Sequence, residues 1–148
     1  MGKLPWLLLG AAVVFFGAVW LWIRPDTLAG ATLAVGDAVF SVEIADEPLE
    51  QYQGLRDRDT LARDHGMLFV FEDARERVFT MDGVPIPLDL IWIRDSRVIG
   101  ITANVPPAAS GAGTRYGSPE PADTVLEVLG GVAAAAGIAE GTSVEVKY

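Results

Sequence analysis

The chain has no cysteine, a single histidine (His65) and only two lysines, Lys3 and Lys147. The first absence excludes disulfides, thiolate nucleophiles and cysteine-based zinc sites, and leaves the redox compartment undecided. The second leaves one imidazole with no partner at a recognised catalytic or metal spacing. Positive charge is scarce overall, with 11 basic side chains against 20 acidic ones. Setting aside the first 30 residues removes Lys3, Arg24 and Asp26, leaving 19 acidic against 9 basic, a net of −10. Such a domain repels phosphate backbones, so nucleic acid is not an expected partner. An acidic, lysine-poor surface serves solubility and also suits concentrated salt.

Charge of either sign is missing altogether from Leu4 to Ile23, LPWLLLGAAVVFFGAVWLWI. A helix rises about 1.5 Å per residue, so about 20 apolar residues cross the ~30 Å hydrocarbon core of a bilayer. Trp6 at one end and Trp20 and Trp22 at the other suit the headgroup region. A cleaved signal peptide would have a shorter apolar core before a small-residue site such as Ala29-Gly30-Ala31. The length and the terminal tryptophans favour an uncleaved anchor. Lys3 and the terminal amine against Arg24 alone place the amino terminus in the cytoplasm and the domain outside. The expected organisation is therefore an anchor and linker over residues 1–30 and a β-rich domain over 31–148.

Within the domain the apolar runs are short and bounded by turn residues, which reads as strands. Ala31–Val35 and Ala38–Ala45 form a predicted hairpin around Gly36-Asp37. Asp46 is the expected cap of a short helix whose buried face carries Leu49, Tyr52 and Leu55, ended by Gly54. Arg56–Asp59 reads as a solvated bend. A strand follows Gly66, a charged turn covers Glu72–Arg77, and Arg77–Met81 is a short strand. Leu88–Ile93 and Arg97–Ala103 form the best-marked hairpin, turning at Asp95-Ser96. Val105–Asp123 is a long Pro-, Gly- and Ala-rich loop, and loops of that length are functional or mobile. Val125–Leu129 resumes as a strand, Val132–Ala136 is a short helix closed by Gly137, and a last strand carries Val144, Val146 and Tyr148. The expected fold is mainly β: a compact antiparallel sandwich or barrel of about seven or eight strands with two short helices.

The ordered landmarks are Val42-Glu43-Ile44-Ala45-Asp46, Gly54-Leu55, Gly66-Met67-Leu68-Phe69, Phe79 with Met81, Ile86-Pro87-Leu88-Asp89, Tyr116 with Ser118, Val125-Leu126-Glu127 and Gly137-Ile138 before Gly141. Their order and spacing from about Val39 onward resemble the domain of unknown function 192 family. The resemblance implies a jelly-roll-like β fold and an export signal or membrane anchor, and no established activity. The chain departs from the family's pattern twice. Arg56 stands where the family usually has a methionine, and Asp82-Gly83-Val84 stands where it usually has Lys-Asn-Thr.

Asp89 is the first candidate for chemistry, as one carboxylate inside Leu88–Ile93. Buried, it needs a cation or several amides to stay charged, and Arg75, Arg77 and Arg115 are candidate partners. A structural role is the expectation. Glu127 could supply a second carboxylate, although alternation with Val125 and Leu129 reads more simply as an exposed strand residue. His65 reads as a turn residue. Asp64, His65, Glu72 and Asp73 do not make a recognised metal set, and neither a metal nor a cofactor is expected. No serine lies in a nucleophile elbow, and Gly111-Ala112-Gly113 lacks the lysine of a phosphate loop. Met67, Phe69, Phe71, Phe79 and Met81 could line a ligand pocket or simply be core.

The resulting expectation is a non-catalytic envelope module that binds a small ligand or an envelope protein partner. Its candidate binding residues are Met81, Asp82, Gly83, Pro87 and Asp89 around one turn, and Arg115, Tyr116 and Ser118 in the long loop. The competing expectation is an acid–base enzyme using Asp89 with Glu127 or His65.

Overall fold

The structure, a computed structural model, describes residues 30–108 and 113–147. The anchor expected at Leu4–Ile23 lies outside the described residues. Among those described, no helix is long and apolar enough to cross a membrane.

In chain order the elements are β1 (Gly30–Val35), β2 (Ala38–Ala45), α1 (Pro48–Gln53), β3 (His65–Arg75), β4 (Val78–Thr80), β5 (Leu88–Arg94), β6 (Arg97–Val105), β7 (Arg115–Gly117), β8 (Ala122–Leu129), α2 (Val132–Ala135) and β9 (Val144–Lys147). Seven strands form one sheet in the order β6-β5-β8-β3-β2-β1-β9, and β4 pairs with β7 as a separate ribbon. The sheet curls into a half-barrel. At one end its outer strands meet: the Val98 amide donates to the Thr142 carbonyl at 2.9 Å, the Gly141 amide to Val98 at 2.8 Å, and the Val144 amide to Ser96 at 2.9 Å.

The fold is mainly β with two short helices, as the sequence implies, but several local expectations are corrected. The sheet is not wholly antiparallel. β2 and β3 run parallel, Ser41 opposite His65 through Ala45 opposite Phe69, because α1 and the loop after it carry the chain back to the same end. The helix is capped at Glu47 rather than Asp46, with the Glu50 side chain accepting from the Glu47 amide at 3.1 Å. Leu49 and Tyr52 are exposed, and only Leu55, just past the helix, enters the core. One turn and a half of helix is too short to present a continuous buried stripe. Arg58 leaves the supposed solvated bend to bind both oxygens of Glu43, at 2.5 and 2.6 Å. β3 runs through the expected turn as far as Arg75, with its pairing to β8 interrupted between Val70 and Arg75. Within the long loop, β7 pairs with β4, Phe79 opposite Tyr116.

The central strands are covered on both faces. Inside the curl, Leu33, Phe40, Val42, Leu68, Ile91, Ile93, Leu126 and Val128 pack under α2. On the other face Met67, Phe69, Leu88, Leu90, Trp92 and Val125 are covered by Leu55, Met81, Val84 and Ile86, with Phe79 and Tyr116 of the ribbon. Strands buried on both faces read as unbroken apolar runs, which is the physical content of LDLIWI. All six of those residues are at most 1% exposed.

Candidate functional site

Each of the two deepest strands, β5 and β8, carries one buried carboxylate, and the pleat sends them to opposite faces. Asp89 points inward beneath α2 and is fully buried. Its Oδ1 accepts from the amides of Asn104 at 2.7 Å and Gly131 at 3.0 Å, and its Oδ2 from Ala133 at 2.8 Å. Gly131 caps α2 and has no side chain with which to do so, so Asp89 satisfies the helix's first amides from another strand. Asn104 and Gly131 both hold positive φ, 51° and 84°, and the shared carboxylate ties the two turns together. The partners anticipated from sequence do not hold it. Arg75 and Arg77 bind Asp73, Arg75 at 2.5 Å and Arg77 at 2.9 Å. Arg115 is exposed on the ribbon.

Glu127 projects to the other face, between Met67 of β3 and Leu90 of β5. It is 5% exposed, which corrects the expectation of a solvent-facing strand residue. Alternation assumes a wet side, and this strand has none. Glu127 lies in a cavity of about 410 Å³ between the sheet and its outer cover. Phe69, Phe71 and Phe79 contribute aromatic wall, Gln51–Arg56 and Thr80 close one side, and Glu76, Arg77, Asp82 and Val84 complete it. The Phe69 and Phe79 rings meet edge to face at 4.9 Å, and Phe79 meets Trp92 at 5.6 Å, which fixes the wall.

The two guanidinium groups of the lining are already engaged. Arg77 donates from Nε to the Ala122 carbonyl at 3.1 Å, binds Asp73, and stacks over Phe71 with 3.8 Å to the ring centroid. Arg56 donates to the carbonyls of Tyr52 at 3.1 Å and Asp82 at 2.5 Å. The two departures from the family pattern, at Arg56 and at Asp82-Gly83, therefore touch each other. The Glu127 carboxyl, in contrast, takes part in none of the side-chain hydrogen bonds or ion pairs among the described residues. Burial between apolar neighbours raises its pKa to about 8, so it is protonated at neutral pH.

That assignment has a measurable sign. The folded pKa lies above the unfolded value of 4.5, so the native state holds a proton that the unfolded state loses. Stability should therefore fall as pH rises from about 5 to about 8 and level off above. Urea midpoints for the protein and for Glu127→Gln across pH 5–9 check this: the substitution should flatten that slope, and an unchanged slope would place the titration elsewhere.

The other candidates are scattered. Met81 is core, Gly83 turns the chain at φ 73°, and Pro87 lies against Gly130. Ser118 closes the ribbon, its Oγ accepting from the Arg77 amide at 3.0 Å. Of the binding residues expected from the turn and the loop, only Asp82 lines the Glu127 cavity. His65 is exposed beside Asp64 at 2.8 Å and borders a separate cleft. Asp89, Glu127 and His65 thus occupy three different surroundings and form no acid–base set. No group of three His, Asp or Glu side chains able to hold a metal occurs among the described residues. The lining residues that sequence reading missed include Gln51, Glu76 and Thr80, which carry no pattern of their own and meet only through the fold.

Two solved structures are similar to this chain. One is a protein of unknown function from Novosphingobium aromaticivorans DSM 12444, 34% identical, with a TM-score of 0.75 over 82% of this chain and 89% of that one. The other, from Sinorhizobium meliloti 1021, is named provisionally as a transcription regulator; it is 31% identical, with a TM-score of 0.74 over 81% of this chain and 95% of that one. No curated protein matches. The family pattern of DUF192, described as "Uncharacterized ACR", matches residues 31–146, and the chain belongs to that family.

Proposed function

We propose that this domain is a non-catalytic module that binds a small molecule in the Glu127 cavity, and that the apolar segment Leu4–Ile23 holds it on the extracytoplasmic side of a membrane. One observation carries the binding reading: a carboxyl group 5% exposed, without a hydrogen-bond or ion-pair partner among the described residues, lines a cavity of about 410 Å³ with aromatic walls. Concave, mainly apolar sites with a few placed polar groups are where small ligands bind. The separation of Asp89, Glu127 and His65 argues against a catalytic reading, since a general acid needs a partner within reach of the same substrate. The net charge of −10 over residues 31–148 argues against DNA as the partner, whatever the name given to the Sinorhizobium relative.

The reading is tested by mapping a set of one-ring compounds onto the labelled full chain by NMR at millimolar concentration. Shifts should gather at Phe69, Phe79, Thr80 and Glu127. Shifts gathered instead around His65 and Ser41, or none from any compound, would remove the cavity from consideration.

A further inference from the structure

Resting on that ligand-binding reading, we infer that the cavity takes a small organic cation, an amine carried on an apolar body, with the ammonium group against the Glu127 carboxylate. The buried polar side chain that the lining leaves unengaged is an acid, Glu127. Arg77 shares the Asp73 carboxylate with Arg75 and Arg56 is held by two carbonyls, whereas the Glu127 carboxyl has no side-chain hydrogen bond or ion pair among the described residues. The other titratable groups sharing the cavity are Tyr52, Arg56, Arg77, Glu76 and Asp82, whose charged members are two of each sign. Phe69 and Phe79 supply rings, whose negative faces attract a cation, while the Tyr52 ring already carries Arg56 at 5.1 Å. The domain's net charge steers cations toward it and anions away. A metal ion fits less well, because no group of three carboxylates or imidazoles converges among the described residues.

The proton balance is definite. An ammonium entering the cavity meets a neutral carboxylic acid; the acid's proton leaves to solvent, and the ammonium keeps its own and donates it in a charge-assisted hydrogen bond. Binding is therefore coupled to proton release near neutral pH, and affinity rises with pH toward that of the ionised site.

The test is isothermal titration of the full chain at pH 7 with benzylamine, benzyl alcohol and benzoate, each in two buffers of different ionisation enthalpy. Benzylamine should bind most tightly of the three and release close to one proton per ligand. Glu127→Gln should weaken benzylamine by about tenfold or more while leaving benzyl alcohol unchanged. Equal binding of amine and alcohol, a preference for benzoate, or amine binding without proton release would overturn the cation assignment and leave the pocket standing. Failure of all three compounds on the folded wild-type chain would overturn the pocket itself. Proton release is read on the wild type, so the outcome does not depend on how the variant folds.

Discussion

Replacing Asp89 by alanine should lower the unfolding free energy by about 3–5 kcal/mol, the range for removing one partner from a buried charged network. The carboxylate accepts three backbone amides at 2.7, 3.0 and 2.8 Å, the bonds to Asn104 and Gly131 part-buried and the one to Ala133 fully buried. Asn104 and Gly131 hold left-handed conformations that the same oxygen secures, so both turns loosen together. Asp89→Asn keeps the shape and one acceptor but turns an NH₂ toward an amide, and a loss of about 1–3 kcal/mol follows for that buried, unpaired donor. Urea unfolding at pH 7 gives both numbers, and hydrogen exchange at Ala133 and Asn104 should locate the loss. If the alanine variant loses less than about 1 kcal/mol, Asp89 is not what pins α2 to the sheet. Retained ligand binding in the asparagine variant would further separate this carboxylate from the cavity on the opposite face.

Gly66→Ala should be comparably damaging for a different reason. Gly66 needs no unusual backbone angle; it needs space. A Cβ there would lie 2.6 Å from the carbonyl oxygen of Glu127 and 3.1 Å from both the Leu126 and Val128 side chains. The nearest atom is backbone on a central strand, hydrogen-bonded on both sides, and cannot rotate away. Forcing one methyl into such a core costs about 1–3 kcal/mol or more. Relief requires β8 to move away from β3, which displaces Glu127 at the cavity floor. The variant should therefore lose ligand affinity as well as stability, whereas Gly113→Ala, with nothing within 4 Å, should change neither. Equal melting temperatures for Gly66→Ala and the parent would show that the two strands do not approach this closely.

Much of the fold can be read in the chain, and the failures have a common cause. Hairpins are local, so β1–β2 and β5–β6 are visible in their turn residues, Gly36-Asp37 and Asp95-Ser96, the latter with φ of 49° and 58°. The parallel pairing of β2 with β3 and the ribbon of β4 with β7 join residues far apart, and no turn announces them. Alternation misplaces Glu127 because a period of two separates inside from outside only when one face is wet. The signal available was its neighbours: TVLEVL repeats the pattern of LDLIWI, one carboxylate in an apolar run buried on both faces. Leu49 and Tyr52 failed for the reverse reason, since helical spacing over six residues does not require a surface to pack on. The cavity was half legible. Of Met67, Phe69, Phe71, Phe79 and Met81, a row that reads more simply as core than as pocket lining, the three phenylalanines line the cavity, while its polar side chains come from α1, β8 and the segments around β4 and meet only in three dimensions.

Mechanics follows from the place of β1 in the sheet. The strand the described chain enters first is hydrogen-bonded on both sides, to β2 along its whole length and to β9 from Thr32 to Val35. A pull delivered through Gly30 runs along the strand axis and loads two ladders in shear, so many bonds must fail at once rather than one by one. Resistance to such a pull is governed by the rate of unfolding and not by its equilibrium. The seam that joins the β9 end to the start of β6 links the two outer strands, so tension entering at β1 is shared around the curl as in a hoop.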